Sequence, residues 1–406
     1  MKTNGMKTAS RERSRTVFVG MSGGVDSSVT AVLLKQAKPS DFEKLTGRPT
    51  PKGFKGFNVV GIHLRGFNID GCGDRDAEDA RRAAEVIGIP FYVLDMEEDY
   101  KRIVVKYMVN EYKRGKTPNP DVMCNKEIKF GIFLNAAKKM GADYVATGHY
   151  ARIATNDTKQ ETWNKRADTR NKNSMSHVAC RYSLHAARDK NKDQSYFLWT
   201  LTQDQLKYTI FPLGVIKKPQ VRKLAKKFNL PNAEKKDSQG ICFLGHVTLS
   251  EFLGMYIPAK RGAIVTTDGK KVGEHQGAHL FTIGQRRLGI KNLELGIKND
   301  GNIKPNYVTE KNIKKNIVTI AQGDEHPVHY KKEIELKDIH FISPLIHDSK
   351  FSIPVLARIR YRQPLFKATL KEKKLIFKNP QKFIAAGQSA VFYTKQGEML
   401  GGGVIV

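Results

Sequence analysis

The stretch Val19-Gly-Met-Ser-Gly-Gly-Val-Asp-Ser-Ser28 joins an apolar run to a helical pattern and has the make-up of an anion-binding loop. Gly23 and Gly24 let the backbone approach a ligand without Cβ obstruction, and the free N–H groups at a helix start attract anionic oxygens. Ser22, Ser27 and Ser28 add hydroxyl donors, and Asp26 either caps the helix or helps hold magnesium. The spacing is neither that of a Walker loop nor that of a G-x-G-x-x-G dinucleotide turn, so both are excluded.

Of the four cysteines, Cys72, Cys124, Cys180 and Cys242, none forms a C-x-x-C pair or has zinc-ligand spacing. Cys124 lies in Thr117-Pro-Asn-Pro-Asp-Val-Met-Cys-Asn-Lys126, ahead of a helix expected from Glu127. There the helix dipole and Lys126 would lower the thiol's pKa, favouring thiolate; the competing reading is an inert cysteine in a proline-stiffened turn. Cys242, in Lys235-Lys-Asp-Ser-Gln-Gly-Ile-Cys-Phe243, also has positive charge nearby. Cys72 and Cys180 lack such surroundings and read as structural or incidental.

The elements that must position these groups alternate in type up to about Thr147. Strands are expected over Thr16–Gly20, Val59–Ile62, Phe91–Leu94 and Tyr144–Ala146, with helices from Asp26, over Arg75–Ile87, and twice more before Tyr144. Strands alternating with helices imply a parallel sheet, which binds ligands at the carboxyl ends of its strands. Stretches near 35–57 and 154–181 are polar and aperiodic and read as surface insertions. From about Asn316 short strands and turns suggest a small β-barrel. The expected division is 1–211, a Rossmann-like α/β nucleotide-binding domain; 212–290, a small mixed domain; and 291–406, the barrel.

Lys and Arg number 70 against 40 Asp and Glu, a net charge of +30 that suits a polyphosphate partner. In Val355–Arg362 a period of two would put Val355, Ala357, Ile359 and Tyr361 on a core face and Arg358, Arg360 and Arg362 in a row on the other. No apolar run approaches the roughly 20 residues of a membrane span, so a soluble protein is expected. Met1–Arg15 has no apolar face, which argues against a secretory signal; the bacterial cytoplasm is the first expectation and the mitochondrial matrix the second.

S-G-G-x-D-S-S after a strand resembles the pyrophosphatase loop (PP-loop) of the adenylating ATPases. T-P-N-P-D-x-x-C-N-K-x-I-K-F, A-T-G-H-Y-A-R at 146–152, K-D-Q-S-Y-F-L at 192–198, K-D-S-Q-G-I-C-F at 236–243, G-E-H-Q-G at 273–277 and G-Q-S-A-V-F-Y at 387–393 together resemble the tRNA-specific 2-thiouridylases. The resemblance spans nearly the whole chain. It implies ATP and magnesium as cofactors, and action on the wobble uridine in the anticodon arm of tRNAs for Lys, Glu and Gln. It also implies a protein that donates persulfide sulfur, and no membrane partner. By the same resemblance, Gly20, Met21, Ser22, Gly23, Gly24, Val25, Asp26 and Ser27 hold ATP, with Leu64 near adenine, where the family has methionine, and Gly148 near nucleotide. Asn119, Pro120 and Asp121 face the target base, while His149, Lys192, Asp193, Gln194, Arg360, Tyr361 and Gln388 contact tRNA.

The chemistry implied is adenylation of the uridine 2-oxygen, followed by sulfur delivery from a Cys242 persulfide. Either the persulfide attacks the activated carbon, or Cys124 attacks Cys242, releasing hydrosulfide and forming a disulfide. Asp121 is the base or orienting group. In a variant of this reading, Asp121, Cys124 and Cys242 ligate an iron–sulfur cluster. Competing functions are a small-molecule adenylating ligase, which would not need a basic barrel or two motif cysteines, and a catalytically decayed RNA-binding protein.

Overall fold

The structure, a computed structural model, describes residues 13–69, 71–155, 182–237, 240, 242–245, 247–288, 304–342 and 352–406. Cys180 and most of the stretch 154–181 lie outside these residues, as do the side chains of Cys72 and Cys242.

In chain order the strands are β1 (Arg13–Gly20), β2 (Phe54–Arg65), β3 (Phe91–Asp95), β4 (Tyr144–Thr147), β5 (Ala151–Thr155), β6 (Tyr182–Ala186) and β7 (Thr209–Ile210). A parallel sheet runs β3-β2-β1-β4-β7. Alternation along β1 sends Val17 and Val19 into one core and Phe18 into another, so the sheet is buried on both faces. Helix α1 (Val25–Lys35) packs Ala31 and Leu34 on the sheet. It turns Val25, Val29 and Val32 toward Val221 and Ala225 of the helix Lys218–Lys227. Connections leave β1 toward β2 on one side and β4 lies on the other, which opens a crevice at their carboxyl ends.

The 35–57 stretch is not the surface insertion its composition suggests. Helix α2 (Phe42–Thr46) buries Phe42 completely, stacked on Phe57 at 5.6 Å between ring centres. Arg48 is also buried, donating to the carbonyls of Thr46, Leu206 and Thr209 at 2.6–2.9 Å. A helix this short is too brief to show a period.

The remaining strands are β8 (Gly262–Thr266), β9 (Lys271–His275), β10 (Asn306–Asn312), β11 (Ile317–Gln322), β12 (Tyr330–Phe341), β13 (Ser352–Arg358), β14 (Phe366–Lys371), β15 (Lys374–Lys382), β16 (Ser389–Tyr393) and β17 (Glu398–Ile405). A four-stranded middle sheet runs β10-β11-β8-β9, so residues 306–322 belong with it and not with the barrel, contrary to a division at 290/291. Pairing between β11 and β8 is nonlocal and leaves no mark in local texture. Helix Lys218–Lys227 likewise packs on α1, so 212–233 joins the first body and not the middle one.

Strands β12-β15-β14-β13-β16-β17 close into a six-stranded barrel through the β12–β17 pairing. The hairpin β5–β6 extends this sheet from outside, with Met399 opposite Leu184. Barrel and nucleotide-type domain thus share a continuous sheet. No helix among the described residues is long and apolar enough to cross a membrane.

Candidate active site

The phosphate-type loop follows β1, anchored where the Met21 amide donates to the Ile62 carbonyl at 2.7 Å. Gly23 adopts φ +74°, and a Cβ there would stand 2.3 Å from the Asp76 carbonyl oxygen, so only glycine fits. Ser27 Oγ accepts from the Ser22 amide at 3.2 Å, bracing the loop. Ser28 is fully buried and bonds Gly24 and Asn232, so it is not a ligand donor.

Asp26 does not cap α1: the N-cap is Gly24, and Asp26 is the second helical residue. Both its carboxylate oxygens accept from Lys218 Nζ at 2.7 Å, and Oδ1 also accepts from the Tyr150 hydroxyl at 2.8 Å. Gly148, after β4, lies so close that a Cβ would be 2.8 Å from the Ser27 amide nitrogen.

A cleft of about 980 Å³ opens above these strand ends. Gly20, Met21, Ser22, Gly24, Val25, Asp26, Ser27, Leu64 and Gly148 line one wall; of the expected nucleotide set only Gly23 does not. Asp121, Cys124, Lys129, His149, Lys192, Gln194, Tyr361 and Arg362 line the rest. The volume accommodates a nucleotide-sized ligand.

Cys124 does not precede its helix. Asn119 caps the helix, its Oδ1 accepting from the Val122 amide at 3.3 Å, and Pro120 opens it, so the helix starts before Glu127 and Cys124 lies in its second turn. Asn119 and Pro120 are themselves buried and do not line the cleft. Burial pushes the Cys124 thiol up; Lys129 opposes that shift and the Asp121 carboxylate adds to it. Lys126, the cation expected to activate it, is exposed and pairs with Glu127 at 2.9 Å. Asp121, one turn earlier, is also pushed up by burial.

Tyr100 packs in the same core as Cys124, where its hydroxyl favours the thiolate, and meets Phe243 edge-on with ring centres 5.4 Å apart. Phe243 follows Cys242 in the short helix Cys242–Leu244, so one tyrosine links the two cysteine segments. Tyr100 has no motif of its own. Lys129 and Asp237 stand inside the 117–130 and 236–243 motifs, where residue type alone assigns them no role.

The expected tRNA contacts divide. Lys192, Gln194 and Tyr361 reach the cleft. His149 lines it too, but burial pushes its pKa well below the ordinary value, so it is a neutral ring bonded to Thr147 Oγ1 at 2.7 Å. Asp193 is buried: its Oδ1 accepts from the Ala187 and Ser195 amides and its Oδ2 from Arg358.

The row of arginines does not form. Strand β13 ends at Arg358, whose face is covered by the 192–199 segment instead of solvent, and Arg358 pairs with Asp193 at 2.7 Å. Arg360 donates to the carbonyls of Ile283 and Phe383 at 2.6 and 2.7 Å, fastening the middle sheet's flank to the barrel. Only Arg362, at φ +64°, is exposed and lines the cleft. Gln388 donates to the Thr117 and Pro118 carbonyls at 2.9 and 3.3 Å, so the barrel holds the loop that leads to Asn119.

Comparison with known proteins gives three consecutive family matches. Residues 15–246 match a tRNA methyl transferase HUP domain, 250–322 a tRNA methyl transferase PRC-barrel domain, and 331–405 an aminomethyltransferase beta-barrel domain. The chain is 41% identical over 398 residues to the tRNA-specific 2-thiouridylase MnmA of Streptococcus agalactiae serotype III (strain NEM316), covering 96% of this chain and 94% of that one. It is 41% identical over 404 residues to the protein of the same name from Streptococcus thermophilus (strain CNRZ 1066), covering 97% and 96%. It is 39% identical over 438 residues to that of Christiangramia forsetii (strain DSM 17595 / CGMCC 1.15422 / KT0803), covering 96% and 100%.

Proposed function

The chain belongs to the family of tRNA-specific 2-thiouridylases, and from that premise we propose how its two motif cysteines deliver sulfur. The reaction uses ATP to replace the 2-oxygen of a tRNA uridine with sulfur. In our reading the target is the wobble uridine of tRNAs for Lys, Glu and Gln. ATP lies in the cleft against the β1–α1 loop, where backbone N–H groups and the helix dipole receive its phosphates. AMP is joined to the uridine 2-oxygen and pyrophosphate departs. Magnesium bound with ATP would neutralise charge on its phosphates, and Asp26, the carboxylate beside the loop, accepts from Lys218.

Cys242 takes the sulfur as a persulfide from a donor protein. Cys124 gives up its proton, with Asp121, one turn away on the same helix, as the acceptor. The Cys124 thiolate attacks the Cys242 sulfur and expels hydrosulfide. Hydrosulfide adds to the activated carbon, and AMP leaves with the original oxygen. If the persulfide attacks the carbon first, Cys124 then cleaves the resulting sulfur–sulfur bond, and the products are the same. Either way the two thiols supply two electrons and end as a disulfide, which a dithiol reductant must reopen. That suits a reducing compartment, the bacterial cytoplasm or else the mitochondrial matrix.

The observation that carries this reading is the link from Cys124 through Tyr100 to Phe243, which sets the Cys242 segment beside a buried thiol. An iron–sulfur cluster on Asp121, Cys124 and Cys242 would need the Cys242 side chain, which lies outside the described residues. No step is routed through one.

The test is thiolation of unmodified tRNA with ATP and a persulfide donor. Cys124→Ser and Cys242→Ser should each abolish 2-thiouridine yet retain tRNA-dependent pyrophosphate release, and mass spectrometry of the wild type given the donor should find an added sulfur atom on Cys242. Cys72→Ser and Cys180→Ser should remain active. Thiolation by either of the first pair refutes the two-cysteine route.

A further inference from the structure

Asp26 is the second residue of α1, beside the phosphate loop, and Asp237 lies five residues before Cys242. One ammonium joins them. Lys218 Nζ is 2.7 Å from both Asp26 oxygens and 2.8 Å from Asp237 Oδ1, so its three donors meet three carboxylate oxygens. Its side chain is 10% exposed, against 32% and 31% for the two carboxylates, so a cation is held at depth between them.

We propose that Lys218 is a positioning residue that makes the seating of the Cys242 segment depend on the occupancy of the phosphate loop. The proposal rests on the reading that Cys242 carries the sulfur.

Asp237 also accepts from Lys192 Nζ and Arg222 Nη2, both at 2.6 Å. Three cations thus face the Asp26 and Asp237 carboxylates, and the Asp189 carboxylate accepts from the Lys218 amide alongside them at 2.9 Å. Two residues earlier, Lys235 Nζ ties the same segment to Asp76 and Asp79 of α3 (Cys72–Ile87) at 2.7 and 2.6 Å. The segment is therefore strapped on both flanks just ahead of Gly240, which has φ +85° and open space where a Cβ would be.

Phosphates arriving at the loop compete for the ammonium groups that hold Asp237, Lys192 first because it lines the cleft. Lys218 is the one member that touches both the loop helix and the strap. Without it, the two carboxylates lose the cation between them, and the strap no longer senses the loop.

Hydrogen exchange of the full-length protein, followed in the peptide 235–245, reads this directly. In wild type, magnesium and a non-hydrolysable ATP analogue should change that exchange. In Lys218→Met it should be about tenfold faster and unresponsive to the analogue. Lys218→Arg should restore the response. The 2-thiouridine formed per pyrophosphate released should fall in Lys218→Met, a ratio that general weakening of the enzyme would not move.

If Lys218→Met fails to fold, Asp237→Asn, at the strap end, must lose the response instead. A wild-type response in a folded variant, or equal loss of pyrophosphate release and thiolation, overturns the proposal. Thiolation by Cys242→Ser would remove the sulfur-carrier reading while the exchange result stood by itself.

Discussion

Arg358→Ala should destabilise the protein without touching its tRNA surface. In the barrel wall the guanidinium and the Asp193 carboxylate are 8% and 4% exposed and 2.7 Å apart, and the guanidinium lies 4.7 Å from the centre of the Tyr393 ring. Asp193 cannot turn to water, because its other oxygen holds the Ala187 and Ser195 amides. Truncating the arginine strands a buried carboxylate, which costs about 3–5 kcal/mol. At about 2 °C per kcal/mol for a long chain, Tm should drop by roughly 6–10 °C. Thermal unfolding by circular dichroism measures this, and filter binding below the transition reports tRNA affinity. Arg358→Met combined with Asp193→Asn should recover part of the loss, since no charge is then left unpaired. An unchanged Tm with weakened, less salt-sensitive tRNA binding would show that Arg358 is a surface phosphate contact and refute the burial reasoning.

Arg362→Ala should weaken tRNA binding and lower the slope of log affinity against log salt by about one contact, whereas Arg360→Ala should mainly lower Tm, because its donors go to Ile283 and Phe383; identical salt slopes for wild type and Arg362→Ala would count against the cleft as the tRNA path. Gly148→Ala should cut ATP affinity at least about tenfold in equilibrium dialysis with the fold intact by circular dichroism, since the new Cβ meets the Ser27 amide at 2.8 Å. Alkylation of Cys124 should keep rising beyond the pH at which an ordinary thiol has titrated, because burial favours the neutral form. Asp121→Asn should move that profile to lower pH, since a neighbouring carboxylate opposes thiolate formation; a shift upward would reverse the assigned sign.

The phosphate-type loop, the alternating strands and helices of the first body and the two motif cysteines were legible in the sequence. Each rests on local chemistry: glycines at a strand-to-helix turn, periods of two and 3.6, and cysteines set in polar, proline- or lysine-marked runs. Tertiary structure decided the rest. Alternation correctly sent Val355, Ala357 and Ile359 into the barrel core, but period alone does not say what covers the opposite face. That face meets the 192–199 segment, which turns Arg358 from a surface charge into a buried ion pair. Asp26 read as a cap or metal ligand because its partner Lys218 lies 192 residues away. Cys124 read as activated because Lys126 is its sequence neighbour, yet in a helix that neighbour points elsewhere, while burial, opposed by Lys129 and aided by Asp121, sets the thiol's state. The middle sheet joins β8 to β11 across some fifty residues, a pairing no window along the chain contains. Local sequence specifies conformation and chemical type; what a charged group or a strand edge meets depends on contacts that only the closed fold brings together.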